Sequence, residues 1–162
     1  MSEAENIAAL LEEAYFGEHG RSGVAWHGDS VNTIMQGINA DLAAHRLPGA
    51  SHSIWEIVLH IAEWDEICVR RLKGEVIKLT TGDPGDWPDV PKSLDAANWG
   101  KTLTRLKHAQ QAMVHSARNI SENDLSSKVA GAKWSAYLML HGTLHHDLHH
   151  AGQISVLKRL SS

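Results

Sequence analysis

Apolar residues recur at helical spacing along most of this chain, and serine, glycine and proline mark where the rhythm breaks. In "AENIAALLEEAYF", residues 4–16, Ile7, Leu10, Leu11 and Ala14 share one face, which predicts a helix. The four glycines of "GEHGRSGVAWHG" interrupt it. Asp29 or Ser30 can cap a restart through "SVNTIMQGINADLAAHRL", which Pro48 and Gly49 close. Ser51 or Ser53 can cap "IWEIVLHIAEWDEICVRRLKG", a helix running to about Lys73. Ser93 can cap "LDAANWGKTLTRLKHAQQAMVHSARNI", and Ser135 opens "AYLMLHGTLHHDLHHAGQISVLKRL" after the polar loop "SENDLSSKVAGAKW". Between the second and third long helices, Gly74 to Lys92 holds three of the four prolines and three glycines. That stretch reads as a long crossing loop with a short extended piece at "EVIKL". Loops of this length are often functional and equally often plain crossovers.

Four long helices with one crossover of about twenty residues predict an all-α four-helix bundle. No internal repeat or linker divides the chain, so residues 1–162 read as one domain. A hydrophobic content of 43% supports a real core. The formal charge is −4, and Lys and Arg form no stripe, which argues against a nucleic-acid partner. No apolar run approaches the roughly 20 residues that span a bilayer, and the start "MSEAENIAAL" lacks a basic secretory opening. The expected location is cytoplasmic. Cys68 is the single cysteine, so neither an intrachain disulfide nor a thiolate zinc cluster is available. Any metal site must use nitrogen and oxygen ligands. That focuses interest on the histidines, of which there are 12.

Helical phase sorts them. With Leu138 at zero on the last helix, Met139, Ile154 and Leu157 fall at ~100–160°, and His146 and His150 at ~80° and ~120°, inside that apolar sector. His141, His145 and His149 fall at ~300–20°, on the polar face with Gly152, Ser155 and Arg159. Leu140, Leu144, Leu148 and Ala151 form a second apolar flank near ~200–280°. On the second long helix His60 lies between Trp64 and Ile67, with Ile57 and Cys68 completing its apolar face.

Three inward histidines result: His60 from one helix, and the His146/His150 pair from another. An H-x-x-x-H spacing lets two imidazoles reach one ion, and a third from a facing helix completes a three-histidine set with open positions. Imidazole suits zinc, nickel, copper or iron, so ligand type alone does not choose. A histidine on an apolar face can also be a hydrogen-bonded core residue, and the H-x-x-x-H pair can arise by chance in a histidine-rich run. The outward stripe reads as a solvated face.

"HSIWEIVLHIAEWDE" followed much later by "HHDLHHAGQISVLKR" resembles the DinB-like (DinB/YfiT) superfamily. His60 matches its helix-two histidine. His146, His150, Gly152, Gln153 and Ile154 match its H-x-x-x-H-x-G-Q-I motif, and Trp26, His27 and Gly28 resemble the "WHG" opening of one branch. The resemblance spans about Ala25 to Leu160. It implies an antiparallel four-helix bundle with a long crossover, one divalent metal (commonly nickel or zinc) on the three histidines, and a homodimer. Relatives of this kind include thiol-dependent S-transferases and a mycothiol-dependent isomerase, so the resemblance implies a low-molecular-weight thiol as small-molecule partner.

Two enzymatic routes follow from a metal with open coordination. It could lower the pKa of a bound thiol, or activate water for hydrolysis. A bundle that only binds metal or a small ligand is the third reading, and a structural bundle whose histidines are vestigial is the fourth. No catalytic side chain is evident. Phase sets Glu63 and Asp147 off the ligand face, and Asp147 reads as solvated or structural. His27, Trp26 and Trp64 are the substrate-pocket candidates, the first two from a glycine-rich break whose residues can reach a pocket. His27 could equally cap the nearby helix. Cys68 falls on the buried face and reads as an inert core thiol.

Overall fold

The computed structural model describes residues 1–17 and 24–161. Its architecture is helical, with one two-stranded ribbon. The elements are α1 (Glu3–Phe16), β1 (Val24–Ala25), β2 (Gly28–Asp29), α2 (Val31–Met35), α3 (Ala40–Ala44), α4 (Ile54–Leu72), α5 (Ala96–Asn119), α6 (Glu122–Ser126) and α7 (Ala136–Leu160). The chain is all-α, as the periodicity predicts.

Local chemistry sets the boundaries. Ser2 with Glu5, and Ser53 with Glu56, form reciprocal capping boxes that satisfy the first free N–H groups of α1 and α4. Ser30 caps α2 and Ser135 caps α7. Asp95, not Ser93, caps α5; the Ser93 hydroxyl instead donates to Asp95 Oδ2 at 2.6 Å. The single restart expected through residues 30–47 is two five-residue helices. Gly37 sits between them at φ 77°, a left-handed conformation that ends the first helix, and Asn39 caps the second. The loop expected at 121–134 holds the short α6. The "EVIKL" stretch pairs with no strand among the described residues.

α4 packs against both α5 and α7, and α1 closes against α5 and α7. Trp55 of α4 is fully buried there, its Nε1 donating to Thr102 Oγ1 at 3.0 Å, and Trp99 of α5 lies 5.1 Å from it between ring centroids. Burying an indole of this kind removes roughly 200 Å² from water, about 5 kcal/mol before ordering entropy is subtracted. Trp99 Nε1 reaches Ile38 O at 2.7 Å, which ties the α2–α3 segment to α5. Arg105 of α5 forks between Glu63 and Glu66 of α4 at 2.5–2.8 Å. All three side chains are about one-third exposed, so the fork aligns the pair more than it stabilises it. The connection from Lys73 to Asp95 is held to α4 by Arg71, which donates to Ile77 O and Leu79 O. No described helix is long and apolar enough to cross a membrane.

Candidate metal centre

His60 lies midway along α4, and His146 and His150 stand one turn apart on α7, the helix packed against it. One nitrogen from each ring falls within 4.8 Å of the other two. His60 Nε2 and His146 Nε2 are 3.0 Å apart. His60 and His150 are buried, and His146 is half-buried.

The Nδ1 atoms explain why the Nε2 atoms converge. His60 Nδ1 meets the Asp86 carbonyl oxygen at 2.6 Å, His146 Nδ1 meets Asp147 Oδ1 at 3.0 Å, and His150 Nδ1 meets Gln153 Oε1 at 2.7 Å. A carbonyl or carboxylate oxygen can only accept, so each Nδ1 carries a proton, and the neutral form of each ring leaves its lone pair on Nε2. Two such lone pairs 3.0 Å apart need a proton or a metal ion between them. Two nitrogens on one first-row ion at ~2.0–2.1 Å stand roughly 2.9–3.4 Å apart, so the His60–His146 spacing fits. Oxygen acceptors behind ligating imidazoles are the usual means of fixing tautomer and orientation.

Electrostatics act in the same direction. Burial pushes the His150 proton affinity down to about 4, with the neighbouring His146 and His60 rings adding to the shift. Burial also lowers that of His60. Both rings are therefore neutral near pH 7, the form that binds metal.

Further residues build the surroundings. Asp147 is fully buried, and Tyr15 of α1 donates to its Oδ2 at 2.7 Å, so α1, α7 and His146 are joined by one chain of bonds. Asp65 lies beside Asp147 with no nitrogen or hydroxyl donor of its own. Burial, then the charge of Asp147, raises its proton affinity well above the carboxylate range, so Asp65 is the acid of the pair. On the other side, the crossover supplies Asp86 and Trp87. Asp86 Oδ1 accepts from Trp64 Nε1 at 2.8 Å and Oδ2 from Gly82 N at 2.8 Å, while Trp87 stacks on His60 at 3.9 Å. A cavity of about 540 Å³ opens beside the cluster, lined by the three histidines with Trp64, Trp87 and Arg71 among others.

Of the sequence candidates, His60, His146, His150 and Trp64 come together here. Trp26 and His27 do not: they form the exposed tip of the β1–β2 ribbon, Trp26 at 97% exposure, and neither lines the cavity. The Trp26 backbone N–H donates to Glu13 Oε1 at 2.7 Å, which ties the tip to α1 while both side chains stay exposed. Cys68 touches the cavity wall, but burial pushes its thiol up to about 12, in keeping with an inert residue. The stripe of His141, His145 and His149 stays outside the cluster. His145 and His149 are exposed, whereas His141 is half-buried against Tyr137 at 4.5 Å, so the stripe is less uniformly solvated than its phase suggests.

Asp147 and Asp86 are the site residues that sequence reasoning missed. Asp147 falls at ~180° on the arc that carries the helix's two apolar flanks, a position where a solvated carboxylate does not belong. Asp86 had only its place in a long glycine- and proline-rich loop to mark it.

Residues 24–154 match the profile of the DinB superfamily, and the chain belongs to that superfamily. Neither a search of curated proteins nor one of solved structures returns a match.

Proposed function

We propose that this chain is a metal-dependent enzyme that transfers groups to or from a low-molecular-weight thiol, with His60, His146 and His150 holding one nickel or zinc ion. It would do so as one domain over residues 1–162, an antiparallel four-helix bundle of α1, α4, α5 and α7 with the Lys73–Asp95 crossover covering the site. The observation that carries the reading is the convergence of three imidazoles, one nitrogen of each within 4.8 Å of the others, whose Nδ1 atoms are each tied to an oxygen. A bound divalent ion with open positions lowers the pKa of a coordinated thiol, giving a nucleophilic thiolate near neutral pH. The chain's own part is to present three imidazoles, hold their orientation through Asp86, Asp147 and Gln153, and wall the cavity with indoles.

Metal-dependent hydrolysis is the runner-up. It needs a base free to take a proton from water, and Asp86, the one carboxylate among the lining residues, already accepts through both oxygens. A thiol needs less help, which favours S-transfer. Non-catalytic binding of metal or a small ligand is the third reading. The proposal includes a homodimer and a cytoplasmic setting, the first checked by light scattering.

The test is metal analysis of protein purified without a nickel column, followed by S-transfer assays over a panel of small thiols. About one ion per chain with turnover of at least one thiol supports the reading; less than about 0.2 ion per chain sinks the metal site. An ion and a bound ligand with no turnover of any thiol or hydrolysable ester leave a binding protein.

A further inference from the structure

On α4, residues 60, 64, 68 and 71 fall within about 80° of one another, so His60, Trp64, Cys68 and Arg71 form a single stripe, and all four line the cavity. The stripe is about 16 Å long between its end Cα atoms, at 1.5 Å per residue. One end is the histidine cluster. The other end is a guanidinium.

Arg71 is 9% exposed and forms no ion pair among the described residues. Its hydrogen bonds go to backbone carbonyls: Nε and Nη2 to Ile77 O, and Nη2 to Leu79 O. Nη1 has no protein partner among these bonds and is not among the sealed, unpartnered polar atoms, and the side chain lines the cavity. Several acids of α4 and the crossover are engaged elsewhere. Glu63 and Glu66 pair with Arg105, Glu75 pairs with Arg70, and Asp86 accepts from Trp64 and Gly82. Arg71 also lies over the Trp64 ring at 5.8 Å, which fixes the plane of the fork. A buried cation without a counter-charge is costly, and carbonyl oxygens compensate only in part. The remaining Nη1 N–H groups suit an oxyanion as charge-assisted donors.

We propose that Arg71 is the anion subsite of this cavity: the ligand carries a carboxylate, bound at Nη1 of Arg71, separated by on the order of 10 Å of chain from the atom that meets the histidine cluster. The indoles of Trp64, Trp87 and Trp134 line the space between. The inference rests on the preceding reading only in taking this cavity as the ligand site; it does not need the ligand to be a thiol or the protein to be an enzyme.

The test has two arms, both read by tryptophan fluorescence and calorimetry. In the first, nickel-loaded protein is titrated with mercaptoalkanoates from 3-mercaptopropionate to 11-mercaptoundecanoate and with mercaptoalcohols of matched length. The expected result is at least tenfold tighter binding of the carboxylates, greatest at intermediate length. In the second, chelator-stripped protein is titrated with octanoate and octan-1-ol, and octanoate is expected to bind more tightly. Arg71→Met is expected to abolish the carboxylate preference in both arms, and Arg71→Lys to retain part of it. Metal content and thermal unfolding of each variant report whether the crossover is still in place. Equal binding of acid and alcohol by the unaltered protein overturns the proposal, whatever the variants do. So does an undiminished preference in a folded Arg71→Met. Failure of every thiol in the first arm, with an Arg71-dependent octanoate preference in the second, would overturn the thiol reading and leave the anion subsite standing.

Discussion

α7 carries two sets of histidines at the same four-residue spacing, and they have different fates. His146 and His150 each have an oxygen acceptor behind Nδ1 and a third imidazole facing Nε2. His145 and His149 are exposed; His149 accepts no more than the Gln153 amide at 3.2 Å, and His141 packs on Tyr137. The difference lies not in residue type or spacing but in phase, which sets one pair beside Asp147 and Gln153 of α7 and facing His60 of α4. A histidine becomes a ligand when one nitrogen is fixed by an acceptor and the other is aimed at a shared point.

That comparison can be broken experimentally, most sharply by deleting a ligand. His60→Ala and His146→Ala should each lower metal content from about one ion per chain to below about 0.2, while His145→Ala leaves it unchanged. Elemental analysis of the purified variants decides this. Equal loss in the His145→Ala protein would erase the distinction between the stripes.

The next effect lies behind the ligands. Asp147→Asn keeps the shape but removes the charged acceptor for His146 Nδ1 and Tyr15, and should weaken metal binding about 10–100-fold in competition with a chromophoric chelator. Tyr15→Phe, one bond further away, should weaken it less. An Asp147→Asn protein with unchanged affinity would show that His146 needs no support from that side.

A pH prediction follows from His150. Folded, the ring takes its proton only at about 4, against about 6.5 when unfolded. Between those values the unfolded chain holds the additional proton, so stability of the metal-free protein falls as pH falls through that window and is fully present above it. Denaturant midpoints measured from pH 7 to pH 4 should show this slope, and His150→Gln should flatten it.

The smallest effects belong to groups outside the cluster. His145→Ala should shift stability by less than about 0.5 kcal/mol, as an exposed substitution. Cys68, its thiol pushed up to about 12, should resist a disulfide exchange reagent at pH 8 until the protein is denatured.

Much of this was legible in the chain. Helical periodicity located α1, α4, α5 and α7, because each buries a wide apolar stripe and starts at a side chain able to cap it. Phase alone separated the two histidine sets and placed His60 inward. The α2–α3 break was also written in the sequence, in Gly37 and Asn39, but a weak apolar pattern running across it concealed it. Asp147 was hidden differently: its phase pointed to burial, and only the arrival of Tyr15 from α1 shows how a buried carboxylate is satisfied. Trp26 and His27 were misleading because a short motif fixes residue identity without fixing the direction in which a two-residue ribbon tip points.

By itself, then, the sequence determined which helices form, which faces they bury and which three histidines turn inward, since period and capping depend on residues within a few positions of one another. Tertiary structure decided what those histidines can do. Asp86 stands 26 positions from the ring it holds, Tyr15 lies 132 positions from Asp147, and His60 and His146 are 86 positions apart. No local pattern carries these long-range pairings: α7 supplies Asp147 and Gln153 to its own histidines, but only packed helices and a folded crossover bring Asp86 to His60, Tyr15 to Asp147 and His60 to His146.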